Sequence, residues 1–401
     1  MNGATLLPHA AWQDRPGLAR LATALDAAGG QARFVGGAVR DTLLGLGDSV
    51  SDIDIATTFP PEEVVRRLDS AGIRAIPTGI AHGTITAVSE GTVVEVTTLR
   101  RDIATDGRHA VVAFTDDWRA DAARRDFTIN ALYADPLSGE VTDWFGGLDD
   151  LRAGRVRFIG NPLERIAEDH LRILRFFRFH ARFGQTIDAP GLAACIDRAN
   201  DLMALSRERI AAELLKLLVA RHAVEAVRLM HDSGILRPVL PEIDSAGIDR
   251  LERLAAREAT AQVPPDAIRR LAALIPPAAA EAVGARLKLS NNDRKRLIQA
   301  SAGAGSEGAR ALAYRVGAAG ALDRLLLAGA DPSPLHDWSV PPLPIGGGAL
   351  VARGVTKGPD VARTLRRIED RWIAEGFPDA ERVAVIADEE TAQTLVAARK
   401  A

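Results

Sequence analysis

The chain has 401 residues, too many for one compact core, and its length points to two to four domains. With 47% hydrophobic and 26% charged residues it reads as an ordinary soluble globular protein. Its net charge of −3 advertises no nucleic-acid partner, although a local basic face can hide inside such an average. The single cysteine, Cys195 in "GLAACIDRAN", excludes an internal disulfide and any cysteine-based zinc site, and its alanine-rich setting reads as a buried structural thiol. With aromatics at 4%, base stacking on aromatic platforms is not the first expectation. The start "MNGATLLPHAAWQDRP" has no basic stretch followed by an apolar run, so no signal peptide is expected. No window approaches eighteen uninterrupted apolar residues, so neither a transmembrane helix nor a membrane partner is expected, and a cytoplasmic location is the default.

In chain order, "GLARLATALDAAGG" has helical spacing and a glycine stop, and "ARFVGG" is a short strand. "DIDIAT" alternates acidic and apolar residues, the period of a half-buried strand. "PPEEVVRRLDSAG" opens on prolines and glutamates and closes on glycine, a punctuated helix. "GTITAVSEGTVVEVTTLR" is two β-rich runs around Glu90-Gly91, a hairpin signal. The first ~150 residues are therefore mixed α/β. From Asn161 onward the pattern is helical. "NPLERIAEDHLRILRFFRFHARFG" is expected to run from an Asn161 N-cap with Pro162 just inside. "SRERIAAELLKLLVAR" and "HAVEAVRLMHDSG" follow, and proline pairs at Pro264-Pro265 and Pro276-Pro277 divide later helices. A looser stretch, "SVPPLPIGGGALVARGVTKGP", precedes an expected last long helix, "DVARTLRRIEDRWIAEGF".

The stretch "VGGAVRDTLLGLGDSVSDIDIAT" carries the chemistry. Asp52 and Asp54, at i and i+2 on a strand, point to one face and are close enough to share divalent ions. Carboxylate oxygens suit Mg²⁺, and two such ions can stabilise both oxygens of an in-line phosphoryl displacement. Gly36 and Gly37 let the backbone approach a triphosphate, and Arg40 adds charge to the same phosphates. Either signal alone is commonplace, a turn or a solvated strand face. Their combination at this spacing resembles the nucleotidyltransferase superfamily that includes DNA polymerase β. In "RRDFTINALYAD", Arg124, Arg125, Asp126 and Asn130 read either as a capped helix end with ion pairs or as a ribose and triphosphate clamp. In "EDHLRILRFFRFHARFG", Asp169 and Arg172 are three apart on one helix face, where a plain salt bridge, worth about 0.2–0.5 kcal/mol, is the bland reading.

Five segments in order, "GGAVRDTLLG…SDIDIAT", "RRDFTINALYAD", "DWFGGLDDLRAG", "EDHLRILRFFRF" and "LSRERIAAELLKLL", resemble the successive motifs of the bacterial and eukaryotic type of CCA-adding tRNA nucleotidyltransferases and their poly(A) polymerase relatives. The resemblance is dense from Phe34 to Leu218 and thin beyond. "TTLRRDIATDGRHAVVAFTDDW" looks like the flexible loop region of the alphaproteobacterial and mitochondrial members.

The resemblance implies an α+β fold: a mixed-sheet, polymerase β-like catalytic head at 1–150, a helical neck carrying base recognition at 151–235, a helical body at 236–300 and a helical, tRNA-binding tail at 301–401. It implies two Mg²⁺ on Asp52 and Asp54, triphosphate contacts from Gly36, Gly37 and Arg40, and ribose and triphosphate contacts from Arg124, Arg125, Asp126 and Asn130. Asp169 and Arg172, with Arg175 one turn on, would read the base of CTP or ATP. The acceptor arm of tRNA is the implied partner, held by helix arginines in "RLKLSNNDRKRLIQ" and "RTLRRIEDR", though a solvated helix face is the plainer reading of any one of them. No obligate protein partner is evident. Glu95 reads equally as a third metal-holding carboxylate and as an ordinary strand-face residue, and His82 as structural or substrate-lining. The intact loop argues against a CC-only enzyme, the missing basic tail argues mildly against a poly(A) polymerase, and an A-adding enzyme stays open. A non-catalytic RNA-binding module is the reading from a different class, and the intact Asp52, Asp54 and Arg40 weigh against it.

Overall fold

The computed structural model describes residues 5–106 and 109–400. The chain divides into two compact units, Met1–Pro241 and Glu242–Ala401. Among the described residues the first unit carries nine strands: β1 (Ala32–Val35), β2 (Ile53–Thr57), β3 (Arg74–Gly79), β4 (Thr84–Ser89), β5 (Thr92–Thr98), β6 (Arg100–Asp106), β7 (His109–Phe114), β8 (Leu132–Ala134) and β9 (Val141–Asp143). Seven of them form one sheet in the order β3-β4-β5-β2-β1-β8-β9. Its pairings are antiparallel except β2 with β5, which run parallel with Asp54 opposite Glu95. The mixed sheet followed by helices is the α+β architecture expected. The expected hairpin forms at Glu90 (φ 50°) and Gly91 (φ 87°), two left-handed residues whose twist matches the strands they join.

The segment expected as a flexible loop contains a second, two-stranded sheet, β6 with β7. Gly107 and Arg108, between these strands in sequence, lie outside the described residues, as do the side chains of 102–112.

Helices α1 (Leu18–Ala24), α2 (Gly37–Leu43), α3 (Pro61–Ser70), α4 (Trp118–Ala123) and α5 (Gly147–Arg152) intersperse the strands. Then come α6 (Pro162–Glu168), α7 (Leu171–Phe183), α8 (Ala189–Asp197), α9 (Arg207–Leu218) and α10 (Ala223–Asp232). Asn161 caps α6 as expected, its side chain accepting the Leu163 N–H at 3.0 Å. The single helix expected over this stretch is, however, two. Asp169 adopts an extended conformation (φ −153°, ψ 106°), which ends α6, and α7 starts two residues later. Asp169 and Arg172 therefore do not share a helix face; one sits at the break and the other in the next helix.

Helix α7 buries Leu171, Ile173, Leu174, Phe176, Phe177, Phe179 and Ala181. Phe176 stacks on Phe158 at 5.6 Å, and Phe127 lies 4.8 Å from Phe158 and 5.5 Å from Phe179. A fully buried Phe contributes about 1.5–3 kcal/mol by burial, so this cluster fixes α7 against the residues that follow α4. Cys195 is buried, as its setting implied, and burial pushes its thiol pKa up.

The second unit is helical: α11 (Ser245–Thr260), α12 (Ala267–Leu274), α13 (Ala280–Arg286), α14 (Asn291–Ser301), α15 (Ala309–Val316), α16 (Ala318–Ala328), α17 (Gly347–Ala352), α18 (Gly358–Ala374) and α19 (Ala380–Lys400). The stretch 358–374 is not the last helix, as had been expected; α19 follows it and is longer. Glu258 accepts from Arg269 at 2.7 Å and Arg270 at 2.8 Å, and Asp323 from Arg269 at 3.2 Å and Arg296 at 2.8 Å, a buried network that ties α11, α12, α14 and α16. Among the described residues no helix is long and apolar enough to cross a membrane.

Candidate active site

The two strands expected at "ARFVGG" and "DIDIAT" form, and the stretch between them makes a turn at Gly36 and the helix α2. Gly36 has φ 72° and ψ −124°, a conformation closed to residues with a side chain. A Cβ there would point toward Arg125 Nη1 and Asp54 Oδ2, 3.7 and 3.8 Å away. The turn thus brings bare backbone up to the carboxylate.

A cavity of about 450 Å³ opens beside this turn. Its lining contains Gly36, Gly37, Arg40, Asp54, Arg124, Arg125, Asp126, Asn130, Asp169, Arg172 and Arg175, which are eleven of the thirteen residues singled out from sequence. Asp52 and Glu95, the other two, are exposed and outside the lining. Six arginines face three aspartates across the cavity, an excess of positive charge suited to a polyanion.

Each cavity arginine is held by a partner. Arg40, 4% exposed, donates to Asp41 at 2.8 Å and to Asn130 Oδ1, and lies 4.6 Å from the centre of the Phe183 ring. Asn130 in turn donates to Asp126 at 2.9 Å, and Asp126 Oδ2 accepts from Arg175 Nε at 2.7 Å. Burial pushes the Asp126 carboxyl up, but Arg175 and Asn130 outweigh it and hold the pKa at about 2. Asp121 is 1% exposed and gathers Arg124 at 2.8 Å, Arg125 at 3.2 Å and the Tyr133 hydroxyl at 2.5 Å. The ion-pair reading of "RRDFTINALYAD" holds, and the pairs near the end of α4 fix Arg124 and Arg125 where they line the cavity.

Asp169 and Arg172 do not pair with each other, contrary to the salt bridge considered from sequence. Asp169 Oδ2 accepts from Arg209 at 2.8 Å and Oδ1 from the Leu171 N–H at 3.1 Å. Arg172 Nη1 donates to Glu168 and to the Arg165 carbonyl at 2.7 Å. The two side chains are thus fixed separately, and both face the cavity. Arg209, Phe179 and Leu171 also line it, and Glu168, Arg165, Asp121 and Tyr133 support it. Sequence reasoning assigned none of these a role, although Arg209 stands in the quoted segment "LSRERIAAELLKLL" and Glu168 beside Asp169.

Asp54 is flanked by Glu95 in register on β5 and by Asp52 two residues back. Burial raises its pKa, and Glu95 and Asp52 add to this against Arg125 and Arg40, to about 6. The hard oxygen donors and their mutual repulsion fit a divalent cation. Among the described residues no three His, Cys, Asp or Glu side chains converge tightly enough to hold one alone, so water and phosphate oxygens would complete its shell. His82 is exposed, in a 3-10 turn just before β4.

The arginines of 286–299 and 363–371 are largely engaged on their own surface. Arg286 pairs with Glu242 at 2.5 Å, Arg294 with Glu281 at 3.0 Å, Arg296 with Asp323 at 2.8 Å, Arg367 with Glu390 at 2.7 Å and Arg371 with Glu389 at 2.6 Å.

Residues 32–157 match the family described as the Poly A polymerase head domain, and residues 185–246 match the probable RNA and SrmB-binding site of polymerase A. The mitochondrial CCA tRNA nucleotidyltransferase 1 of Homo sapiens is 33% identical over 383 residues, which cover 86% of this chain and 84% of that protein. The chain belongs to the CCA tRNA nucleotidyltransferase family. A bacterial member, the CCA-adding enzyme of Leuconostoc mesenteroides, is 42% identical over 209 residues, 52% of this chain and 50% of the relative. Among solved structures, that of the Bacillus stearothermophilus CCA-adding enzyme in complex with CTP superposes with a TM-score of 0.74 at 26% identity, covering 94% of this chain and 99% of that one. The family assignment covers both units, including the helical region where the motif resemblance was thin.

Proposed function

We propose that this protein adds CCA to the 3′ end of tRNA from CTP and ATP, with no nucleic-acid template. The observation that carries this reading is the cavity itself, in which Asp169 and Arg172 face the same space as Gly36, Arg40, Asp54 and Arg124 to Asp126. One site can then hold a base, a ribose and a triphosphate together. In the four-part division we favour, the head at 1–150 supplies the phosphate and metal groups, the neck at 151–235 the base-reading groups, and the body at 236–300 and tail at 301–401 bind the acceptor arm. A cytoplasmic setting, with the lone buried cysteine kept reduced, fits this reading.

Asp52 and Asp54, with Glu95 alongside, would hold two Mg²⁺ ions, which when bound stabilise the attacking and departing oxygens of an in-line displacement at phosphorus. Gly36, Gly37, Arg40 and the guanidiniums of Arg124 and Arg125 orient the triphosphate. Asp126 and Asn130 meet the ribose. The acceptor's 3′ oxygen bonds to the α-phosphorus of the nucleotide, the bond from that phosphorus to the β-phosphate's bridging oxygen breaks, pyrophosphate leaves and the hydroxyl proton is lost to solvent.

Base choice follows from donors and acceptors. Cytosine and adenine each present an exocyclic amine beside a ring-nitrogen acceptor. A carboxylate accepts from the amine and a guanidinium donates to the nitrogen. Guanine and uracil place a carbonyl where the amine should be, leaving charged groups unmatched, the kind of mismatch that discriminates strongly. Because Arg209 and Glu168 hold them separately, Asp169 and Arg172 need not break a bond with each other to meet the base. Asp169→Ala or Arg172→Ala should raise use of UTP or GTP relative to CTP and ATP by about tenfold or more, read from competing incorporation. Unaltered base choice in both variants would put the template elsewhere.

A further inference from the structure

The carboxylates have two sides, and only one is taken by the nucleotide cavity. On β1's side of Asp54 lies Gly36 and the cavity. On the other side the open face of the sheet continues across β5, β4 and β3. Register fixes which residues meet there: Asp54 is opposite Glu95, Glu95 opposite Thr86, and Thr86 opposite Ile76. Two residue pairs along, on the same face, Thr97 is opposite Thr84. Burial alternates in step. Val94, Val96, Ile85 and Ala87 are buried on the far face, while Glu95 is exposed and Thr84, Thr86 and Thr97 are half-buried on the open one.

The open face beside the carboxylates is thus a row of hydroxyls. Thr78 and Thr86 bond to each other at 2.9 Å, and Thr84 and Thr97 at 3.3 Å. Each hydroxyl has one donor and two acceptor sites, so each bonded pair keeps a donor and several acceptors for a ligand. Among the described residues Glu95 is exposed, and Thr84, Thr86 and Thr97 are half-buried with Ile76 opposite Thr86, so the hydroxyls beside the carboxylates are within reach of a ligand.

We propose that this row, centred on Thr86, seats the terminal ribose of the acceptor strand and reads its 2′-hydroxyl. The inference rests on the function proposed above. The reacting 3′-hydroxyl must reach Asp54 from the side the nucleotide leaves open. Side chains directly opposite one another on neighbouring strands are about 5 Å apart at Cβ. A 3′-hydroxyl placed between Asp54 and Glu95 therefore brings the vicinal 2′-hydroxyl of the same ribose within reach of Thr86. A group that can both donate and accept matches a hydroxyl better than a charge does, and the 2′-hydroxyl is what distinguishes an RNA end from a DNA end. The role is one of positioning: the threonines touch the acceptor and leave the incoming base to Asp169 and Arg172.

The test uses the full chain and two tRNA transcripts that differ only in a ribose or a 2′-deoxyribose at the final nucleotide. The ratio of kcat/KM for the two transcripts is compared between the wild type, Thr86→Val and Thr86→Ser. Valine keeps the β-branched shape of the strand, and serine keeps the hydroxyl. The wild type should prefer the ribose end, Thr86→Val should narrow that preference by about three- to tenfold, the worth of one hydrogen bond, and Thr86→Ser should restore it. KM for CTP and ATP should not move. If Thr86→Val turns over too slowly, the same ratio is read from the Kd values of the two transcripts. An unchanged ratio in Thr86→Val, by rate or by binding, overturns the inference while leaving the proposed function standing. Failure of the wild type to extend the ribose-ended transcript at all would overturn the function, and the inference with it.

Discussion

Asp126 shows how one residue ties the cavity together. It accepts from the Phe127 N–H, from Asn130 and from Arg175. Its folded pKa, about 2, lies below the ordinary 3.8. A depressed carboxyl contributes stability that is complete above the unfolded value and is lost as pH falls through the folded one. The window is therefore from about pH 4 down to about pH 2, and the amount is on the order of 2 kcal/mol. Asp126→Asn cannot titrate and leaves Arg175 short of its charge partner. Thermal unfolding should show the variant well below wild type at pH 7, with the gap narrowing across that window; an equal gap at pH 7 and pH 2.5, the latter about the foot of the window, would contradict the assignment. At this scale the sequence was legible where chemistry is local. Asp52, Asp54, Gly36 and Arg40 stand within nineteen positions, about one strand-turn-helix-strand unit. Arg209 was not legible as a partner of Asp169, because 40 residues separate them and no spacing rule reaches so far.

Among the elements, the turn between β1 and α2 carries the greatest constraint. Gly36→Ala would meet only ordinary contacts, the nearest at 3.7 Å, so the obstacle is the backbone and not space. Forcing alanine into φ 72°, ψ −124° costs on the order of 1–3 kcal/mol, which the turn relieves by shifting away from Asp54. Nucleotide KM should rise and kcat fall by about tenfold or more, with the Asp126 unfolding window unchanged; wild-type kinetics would mean the turn does not approach the nucleotide. The punctuated elements were readable: the Glu90-Gly91 hairpin and the Asn161 cap form where turn and cap chemistry place them. The break at Asp169 was not, since no proline or glycine marks it. It is held by one tertiary partner, Arg209 on one carboxylate oxygen, and one local one, the Leu171 N–H on the other. Helix α19 was missed for a different reason. Its buried positions include Val383, Ile386 and Ala387 but also Glu390 and Thr391, so its apolar stripe is interrupted.

At the scale of the whole molecule, every residue assigned to the nucleotide lies in Met1–Pro241, while Glu242–Ala401 is built around its own ionic network. Glu258 and Asp323, 2% and 0% exposed, are shared among three arginines, so removing either carboxylate would strand buried positive charge at a cost of about 3–5 kcal/mol. That network, and the surface ion pairs of Arg286, Arg294, Arg367 and Arg371, occupy cationic side chains that the sequence had offered to the acceptor arm. Contacts to phosphates would then fall to residues chosen by the three-dimensional arrangement and not by the density of arginine in the chain. The activity as a whole requires a nucleotide site that accepts C twice, then A, and then stops. The most direct measurement is incorporation by the full chain on three tRNA transcripts, ending at the discriminator base, after C and after CC, each supplied with Mg²⁺ and labelled CTP, ATP or both. The expected result is C, C and then A on the first, C then A on the second and A alone on the third, with no further growth. Addition of A only to the third transcript, unlimited A, or binding of all three without extension would contradict it.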